Sequence, residues 1–184
     1  MKHLLDAICS EISDVLGNVD EAEFAAFTAA ISNAERVFVA GEGRSGLMGK
    51  AFAMRLMHAG YNAFAVGETI TPSIGAADVF VAISGSGATE TVRLYASQAH
   101  KCGAAIALIT TNRNAAIATY SSLTLVIPAA TKLRLEDEPR TIQPLGNQFD
   151  QCVHVLLDAA VIQLLNTSSS SNDQQLAGRH SNLQ

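Results

Sequence analysis

Two wholly apolar runs, Val37-Phe38-Val39-Ala40 and Val79-Phe80-Val81-Ala82-Ile83, each lead into a glycine-rich loop that opens a helical pattern. A strand that is apolar along its whole length has no side to turn to water, so it belongs in a sheet covered on both faces. Strand, loop and helix in repetition is also what parallel pairing needs, because parallel neighbours are joined by a crossover that is usually a helix. The first strand is expected at Arg36 to Ala40, with helix over Leu47 to Ala59 and a short second strand at Tyr61 to Val66. After Val79 to Ile83 come a helix over Thr89 to Cys102 closed by Gly103, a buried strand at Ala104 to Thr110, a short helix near Asn114 to Tyr120 and a strand at Leu123 to Ile127. Two amphipathic helices precede the sheet, with Leu4, Leu5, Ile8, Ile12, Val15 and Leu16 on one and Phe24, Phe27, Ala30 and Ile31 on the other, which Asp20 caps. Lys132 to Pro144 reads as a charged, proline-punctuated loop. A last helix carries Phe149, Val153, Leu156, Leu157, Ala160, Val161 and Leu164, and a polar linker, Thr167 to Asn172, leads to Gly178-Arg179-His180. The expectation is an α/β fold, a three-layer αβα sandwich around a five-stranded parallel sheet.

At 184 residues the chain is long enough for one sizeable core. It is expected to form a single domain, with N-terminal helices over 1–33, an αβα core over 34–166 and a polar tail over 167–184. Apolar residues make up 48% and charged residues 16%, which excludes a disordered chain and leaves apolar surface for subunit interfaces. The formal charge of -5 provides no basic field for nucleic acid or an anionic membrane. Cys9, Cys102 and Cys152 are widely spaced, with no CxxC, and read as reduced, mostly buried thiols. Met1-Lys2-His3-Leu4-Leu5-Asp6 lacks the apolar stretch of a signal peptide, and no run approaches the ~18 apolar residues of a membrane span. A cytoplasmic location is expected.

In an open parallel sheet, ligands bind beyond the carboxyl ends of the strands, where loops meet helix N-termini. Both glycine loops fall there. Unpaired N–H groups and the helix dipole hold an anion without any lysine, which reconciles an anionic ligand with an acidic chain. In Ser84-Gly85-Ser86-Gly87-Ala88-Thr89, glycines admit close backbone approach, while two serines and a threonine supply rotatable donors. The same residues also serve as ordinary helix caps. Gly41-Glu42-Gly43-Arg44-Ser45-Gly46 fits the dinucleotide fingerprint GxGxxG formally, with Glu68 standing 22 positions after Gly46 as the ribose-binding acid. That reading leaves the second, hydroxyl-rich loop unexplained.

Taken together, Gly41-x-Gly43-Arg44-Ser45-Gly46, Gly67-Glu68-Thr69-Ile70-Thr71-Pro72, Ile83-Ser84-Gly85-Ser86-Gly87 and the terminal Arg179-His180 resemble the sugar isomerase (SIS) family, and within it the 6-phospho-3-hexuloisomerases. The resemblance runs from the first strand to the last residues. It implies a flavodoxin-like SIS domain, a homotetramer with shared active sites, and interconversion of D-arabino-hex-3-ulose 6-phosphate and D-fructose 6-phosphate, the step after formaldehyde fixation in the ribulose monophosphate pathway. It implies no organic cofactor and no catalytic metal, and His3, His58, His100, His154 and His180 have no ligand spacing that argues otherwise. Two alternatives stay open: an aldose–ketose isomerase for another phosphosugar such as arabinose 5-phosphate, and a non-catalytic SIS module that senses a phosphosugar.

Moving a carbonyl between neighbouring carbons requires a base for the proton beside the ketone, an enediol, and proton exchange between two oxygens. By resemblance, Ser45, Ser84, Ser86 and Thr89 hold the phosphate and Arg44 faces the sugar, where it stabilises developing negative charge. Candidates for the proton work are Asp150, His180, Glu68 and Glu90. The resembling isomerases open their last helix with Pro-Met-Gly-x-x-Phe-Glu. Here the stretch is Pro144-Leu145-Gly146-Asn147-Gln148-Phe149-Asp150, with the carboxylate on a shorter arm. Glu68 stands in the most specific stretch, facing sugar hydroxyls or a neighbouring subunit. Glu90 suits the dipole of its helix. Glu42 is placed to orient Arg44. The resemblance sets His180 against a neighbour's site, where an imidazole relays protons near neutral pH.

Overall fold

Odd and even positions of the central strands face different helical layers. In this computed structural model, which describes residues 1–167 and 173–182, β1 (Val37–Gly41), β2 (Ala63–Ala65), β3 (Val79–Ile83), β4 (Ala105–Thr110) and β5 (Leu123–Val126) form one sheet in the order β2-β1-β3-β4-β5. All four pairings are parallel. Val37, Val39, Val79, Val81 and Ile83 point into a core shared with Phe27, Phe52 and Leu56 and with the last long helix. Phe38, Ala40, Phe80 and Ala82 point the other way, onto Val92, Ala96, Ala99 and Ile117. Burying one such Phe or Val stabilises the fold by about 1.5–3 kcal/mol, which is why these runs go nowhere else. The five-stranded αβα sandwich is as expected.

One face carries α2 (Glu21–Asn33), α3 (Gly43–His58) and α5 (Asn147–Thr167), with α1 (Lys2–Leu16) packed against α5. The other carries α4 (Glu90–Lys101) and a 3-10 turn at Ala116–Thr119. Asp20 caps α2 as expected, its Oδ1 accepting from the N–H groups of Ala22 (2.7 Å) and Glu23 (3.1 Å).

Several features depart from the sequence-based reading. α3 begins at Gly43, so Arg44 and Ser45 lie in its first turn rather than in a loop ahead of Leu47. The segment near Asn114 to Tyr120 contracts to a 3-10 turn of four residues. A short helix α6 (Asp173–Arg179) occupies part of the tail, while most of the expected linker, residues 168–172, lies outside the described residues. The cysteines are free, but Cys152 alone of the three is buried, its thiol pushed up to about 11 by burial and by the charge of Glu11. Cys9 is exposed and Cys102 half-buried, which corrects the expectation of mostly buried thiols.

From β1 the chain passes through α3 to β2 on one side, and from β3 through α4 to β4 on the other. The connections diverge between β1 and β3, so a crevice opens beyond their carboxyl ends. The helices there meet the strands closely. A Cβ on Gly46 would stand 2.5 Å from the Gly41 carbonyl oxygen, and glycine alone lets α3 begin directly above β1.

Candidate active site

A cleft of about 210 Å³ lies in that crevice, lined by Glu42, Arg44, Ser45, Gly85, Ser86, Thr89, Thr131, Lys132, Gly146, Phe149 and Asp150. α3, α4 and α5 all start at its rim. The residues preceding α3 and α4, Glu42 and Thr89, make no side-chain cap bond to their helices. First-turn N–H groups left uncapped in this way, with the dipole behind them, suit an anionic ligand.

The hydroxyl loop is held from beneath. The Gly85 carbonyl accepts from Thr111 N (3.0 Å), Thr110 Oγ1 (3.0 Å) and Thr111 Oγ1 (2.9 Å). Gly87 adopts φ 60°, a left-handed conformation that favours glycine. Ser86 and Thr89 line the cleft. Ser84 does not: it is 3% exposed and its Oγ lies 2.9 Å from Thr89 Oγ1, placing it as a support for Thr89.

The opposite wall carries the carboxylate. Asp150 is 7% exposed, and its Oδ1 accepts from Ser45 Oγ at 2.6 Å. Burial pushes the Asp150 carboxyl above the usual range, while the Ser45 hydroxyl and the Arg44 charge pull it partway back. A carboxylate with a raised pKa in a cleft is suited to taking and returning a carbon-bound proton near neutral pH. Its place on α5 goes beyond charge matching at a helix start, since it faces the hydroxyl loop across the cleft. Arg44 is oriented by Asn147, whose Oδ1 accepts from its guanidinium at 2.5 Å. Asn147 thus has the role expected of Glu42, which lines the cleft without bonding Arg44.

The wall that follows β5 is anchored as well. Gln148 Oε1 accepts from Ala130 N at 2.7 Å. Glu11, from α1, accepts from Thr141 Oγ1 (2.5 Å), Ile142 N (2.8 Å), Gln143 Nε2 (3.1 Å) and Gln148 Nε2 (3.5 Å). Burial acts to raise the Glu11 carboxyl, but these hydrogen bonds outweigh it and hold the group below its ordinary range.

Three expected candidates stand outside the cleft of a single chain. Glu68 is exposed and pairs with Lys50, Nζ to Oε1 2.6 Å, a contact that draws its carboxyl down. Glu90 pairs with Arg93 one turn along α4. His180 stacks on His58 with ring centroids 5.2 Å apart, and Arg179 donates to the His58 carbonyl at 3.1 Å. Since His58 closes α3 and Arg44 opens it, the His180 ring lies roughly 20 Å of helix away from the cleft of its own chain. Sequence reasoning missed Thr131 and Lys132, which the charged segment after β5 gave no signal to single out. Among the described residues no group of three or more His, Cys, Asp or Glu is placed to hold a metal ion, and no helix is long and apolar enough to cross a membrane.

A doubly wound parallel sheet with a hydroxyl- and glycine-lined cleft at its switch point defines an α/β protein built to hold an anionic small molecule. The particular family follows from comparison: residues 30–135 match the SIS domain, and the chain belongs to the SIS family. It is 38% identical over 182 residues to the 3-hexulose-6-phosphate isomerase of Mycobacterium gastri, covering 98% of this chain and 89% of that protein. It is 35% identical over 154 residues to the 3-hexulose-6-phosphate isomerase of Bacillus subtilis (strain 168), covering 84% and 83%. Among solved structures, a hypothetical protein of Methanococcus jannaschii, for which a 3-hexulose-6-phosphate isomerase function was inferred, aligns with a TM-score of 0.85 at 29% identity over 99% of both chains.

Proposed function

We propose that this chain is a 6-phospho-3-hexuloisomerase that interconverts D-arabino-hex-3-ulose 6-phosphate and D-fructose 6-phosphate. The observation that carries the reading is the buried Asp150, bonded to Ser45 and facing Ser86 and Thr89 across one cleft, in a chain 38% identical to an enzyme of that name. The phosphate rests on Ser86, Thr89 and the N-terminus of α4, with Ser84 behind Thr89 and Ser45 at the α3 side. Asp150 takes the C2 proton of the 3-ulose, leaving a cis-enediol across C2 and C3, and returns a proton to C3 as the carbonyl forms at C2. The hydroxyl proton lost from O2 is made up at O3, so the reaction is redox-neutral overall. Arg44 stabilises the charge that builds on the sugar oxygens.

The exchange between O2 and O3 requires a second proton carrier. We assign it to His180 of a neighbouring copy in a homotetramer, with Glu68 also presented across a subunit boundary, because neither reaches the cleft of its own chain. The whole chain, 1–184, acts as one SIS domain in the cytoplasm, in the ribulose monophosphate route of formaldehyde assimilation. Fructose 6-phosphate production from a 3-hexulose 6-phosphate supply, followed by a coupled assay, tests the reading. No turnover at saturating substrate would refute it. A substrate panel that turned over arabinose 5-phosphate in preference would move the assignment to an aldose–ketose isomerase.

A further inference from the structure

Four ionisable side chains line the cleft, two cationic (Arg44 and Lys132) and two acidic (Glu42 and Asp150). Their formal charges cancel. A phosphate dianion entering such a site gains from the cation on its own side and is repelled by the acid on the other, so the placement of the two cations matters. Arg44 belongs to the carboxylate end. Its guanidinium is fixed to Asn147, three positions before Asp150, and its charge acts on the Asp150 carboxyl. Lys132 forms no hydrogen bond or ion pair among the described residues.

Lys132 arrives from the other wall, in the segment after β5. The hydroxyl loop leans to the same side, since its Gly85 carbonyl is held by Thr110 and Thr111 at the end of β4, the strand beside β5. The backbone under Lys132 is also fixed. Thr131 is 6% exposed, and Glu138 accepts from both Thr131 N (2.9 Å) and Thr131 Oγ1 (2.5 Å). Thr131 Oγ1 in turn accepts from Leu133 N at 3.1 Å. An exposed lysine on a loop is ordinarily a solvated charge. This one has a pinned base, no partner among the described residues, and a place in the same cleft as Ser86 and Thr89.

We propose that Lys132 is a binding residue for the substrate phosphate, closing the Ser86–Thr89 cradle from the segment after β5. The proposal rests on the reading of the cleft as a phosphosugar site. It gives the site its division of labour: neutral donors and one mobile ammonium hold the phosphate, while the planar, tethered guanidinium serves the reacting carbons. A contact to the non-reacting phosphate is made equally in ground and transition states, so its loss appears in KM and not in kcat.

Lys132→Met is expected to raise KM for 3-hexulose 6-phosphate by about 10- to 100-fold, with kcat within about threefold of wild type. Lys132→Arg is expected to keep KM within about threefold, because the charge remains. Calorimetric titration with fructose 6-phosphate and with inorganic phosphate reads binding without turnover, and Lys132→Met is expected to weaken both by a factor like that in KM. Unchanged binding in Lys132→Met, or a fall in kcat with binding unchanged, overturns the proposal, as does an arginine variant that binds as weakly as methionine. If wild type binds fructose 6-phosphate but turns over no hexulose phosphate, the isomerase reading fails and the ratio of dissociation constants still decides the role of Lys132.

Discussion

The Ser45 hydroxyl donates to Asp150 Oδ1 at 2.6 Å, joining the first turn of α3 to the first turn of α5 across 105 positions of sequence. The bond orients the carboxylate that faces the hydroxyl loop and moderates the effect of burial on its charge. It also makes Ser45 a partner of the proposed base as well as a proposed phosphate donor.

Removing the Asp150 carboxylate tests its proposed role as the base. Asp150→Asn is expected to lower kcat by about 100- to 10,000-fold while fructose 6-phosphate binds within a few-fold of wild type. The coupled assay and calorimetry read the two quantities separately, and an active Asn variant would rule out Asp150 as the proton carrier.

The Ser45 bond has a defined sign in pH dependence. It lowers the Asp150 pKa, so Ser45→Ala is expected to move the acid limb of the kcat/KM profile to higher pH. A limb that stays in place or moves down would show that the carboxylate titrating in the profile is not Asp150.

Stability responds to the same carboxyl with a sign opposite to that of Glu11. The folded-state pKa of Asp150 is raised above the ordinary 3.8, so its contribution is fully present below that value and lost as pH rises through the raised one. Asp150→Asn is therefore expected to melt higher than wild type at neutral pH, with the difference vanishing in acid. Glu11 is lowered from 4.5. Its contribution is present above that value and lost as pH falls through the depressed one, so Glu11→Gln is expected to be destabilised at neutral pH and to approach wild type in acid. Thermal melts across pH 3 to 8 check both directions.

Gly46→Ala places a methyl 2.5 Å from the Gly41 carbonyl oxygen. The methyl is fixed to the α3 backbone and its neighbour is backbone too, so relief requires α3 to move off β1, at a cost of about 1–3 kcal/mol. Urea unfolding measures the cost, and activity is expected to fall with it because Arg44 and Ser45 ride on that helix turn. Wild-type stability in the variant would contradict the close packing.

The proposed sharing of active sites between subunits predicts complementation. Asp150→Asn and His180→Ala are each expected to be nearly inactive, and subunits mixed at random from the two in a closed symmetric oligomer to regain about a quarter of wild-type turnover. No recovery on mixing would place both residues in one chain's site or remove His180 from it.

How much was legible depended on whether a local pattern carried the information. Val79 to Ile83 is legible to the residue, since an apolar run between turns has one place in a doubly wound sheet. The sequence pattern places the start of α3 late, at Leu47, because glycines 41, 43 and 46 mimic a loop; packing of that helix start on β1 is what makes them necessary. Ser84 looked like a phosphate donor by its company, yet its hydroxyl is buried against Thr89. The helix at Asp173–Arg179 was not foreseen, since its polar composition lacks an apolar stripe.

The order of strands and helices, the covered parallel sheet and the convergence of hydroxyls and glycines at its carboxyl edge were determined by the sequence alone, because each follows from periodicity and the conformational limits of single residues. Tertiary structure decided what those residues face. Ser45 meets Asp150, Arg44 meets Asn147, and Lys132 lines the same cleft as Ser86, because α3, α5 and the segment after β5 converge on the switch point. The raised pKa of Asp150 exists only through that burial, and no local pattern encodes the desolvation of a side chain by neighbours a hundred positions away.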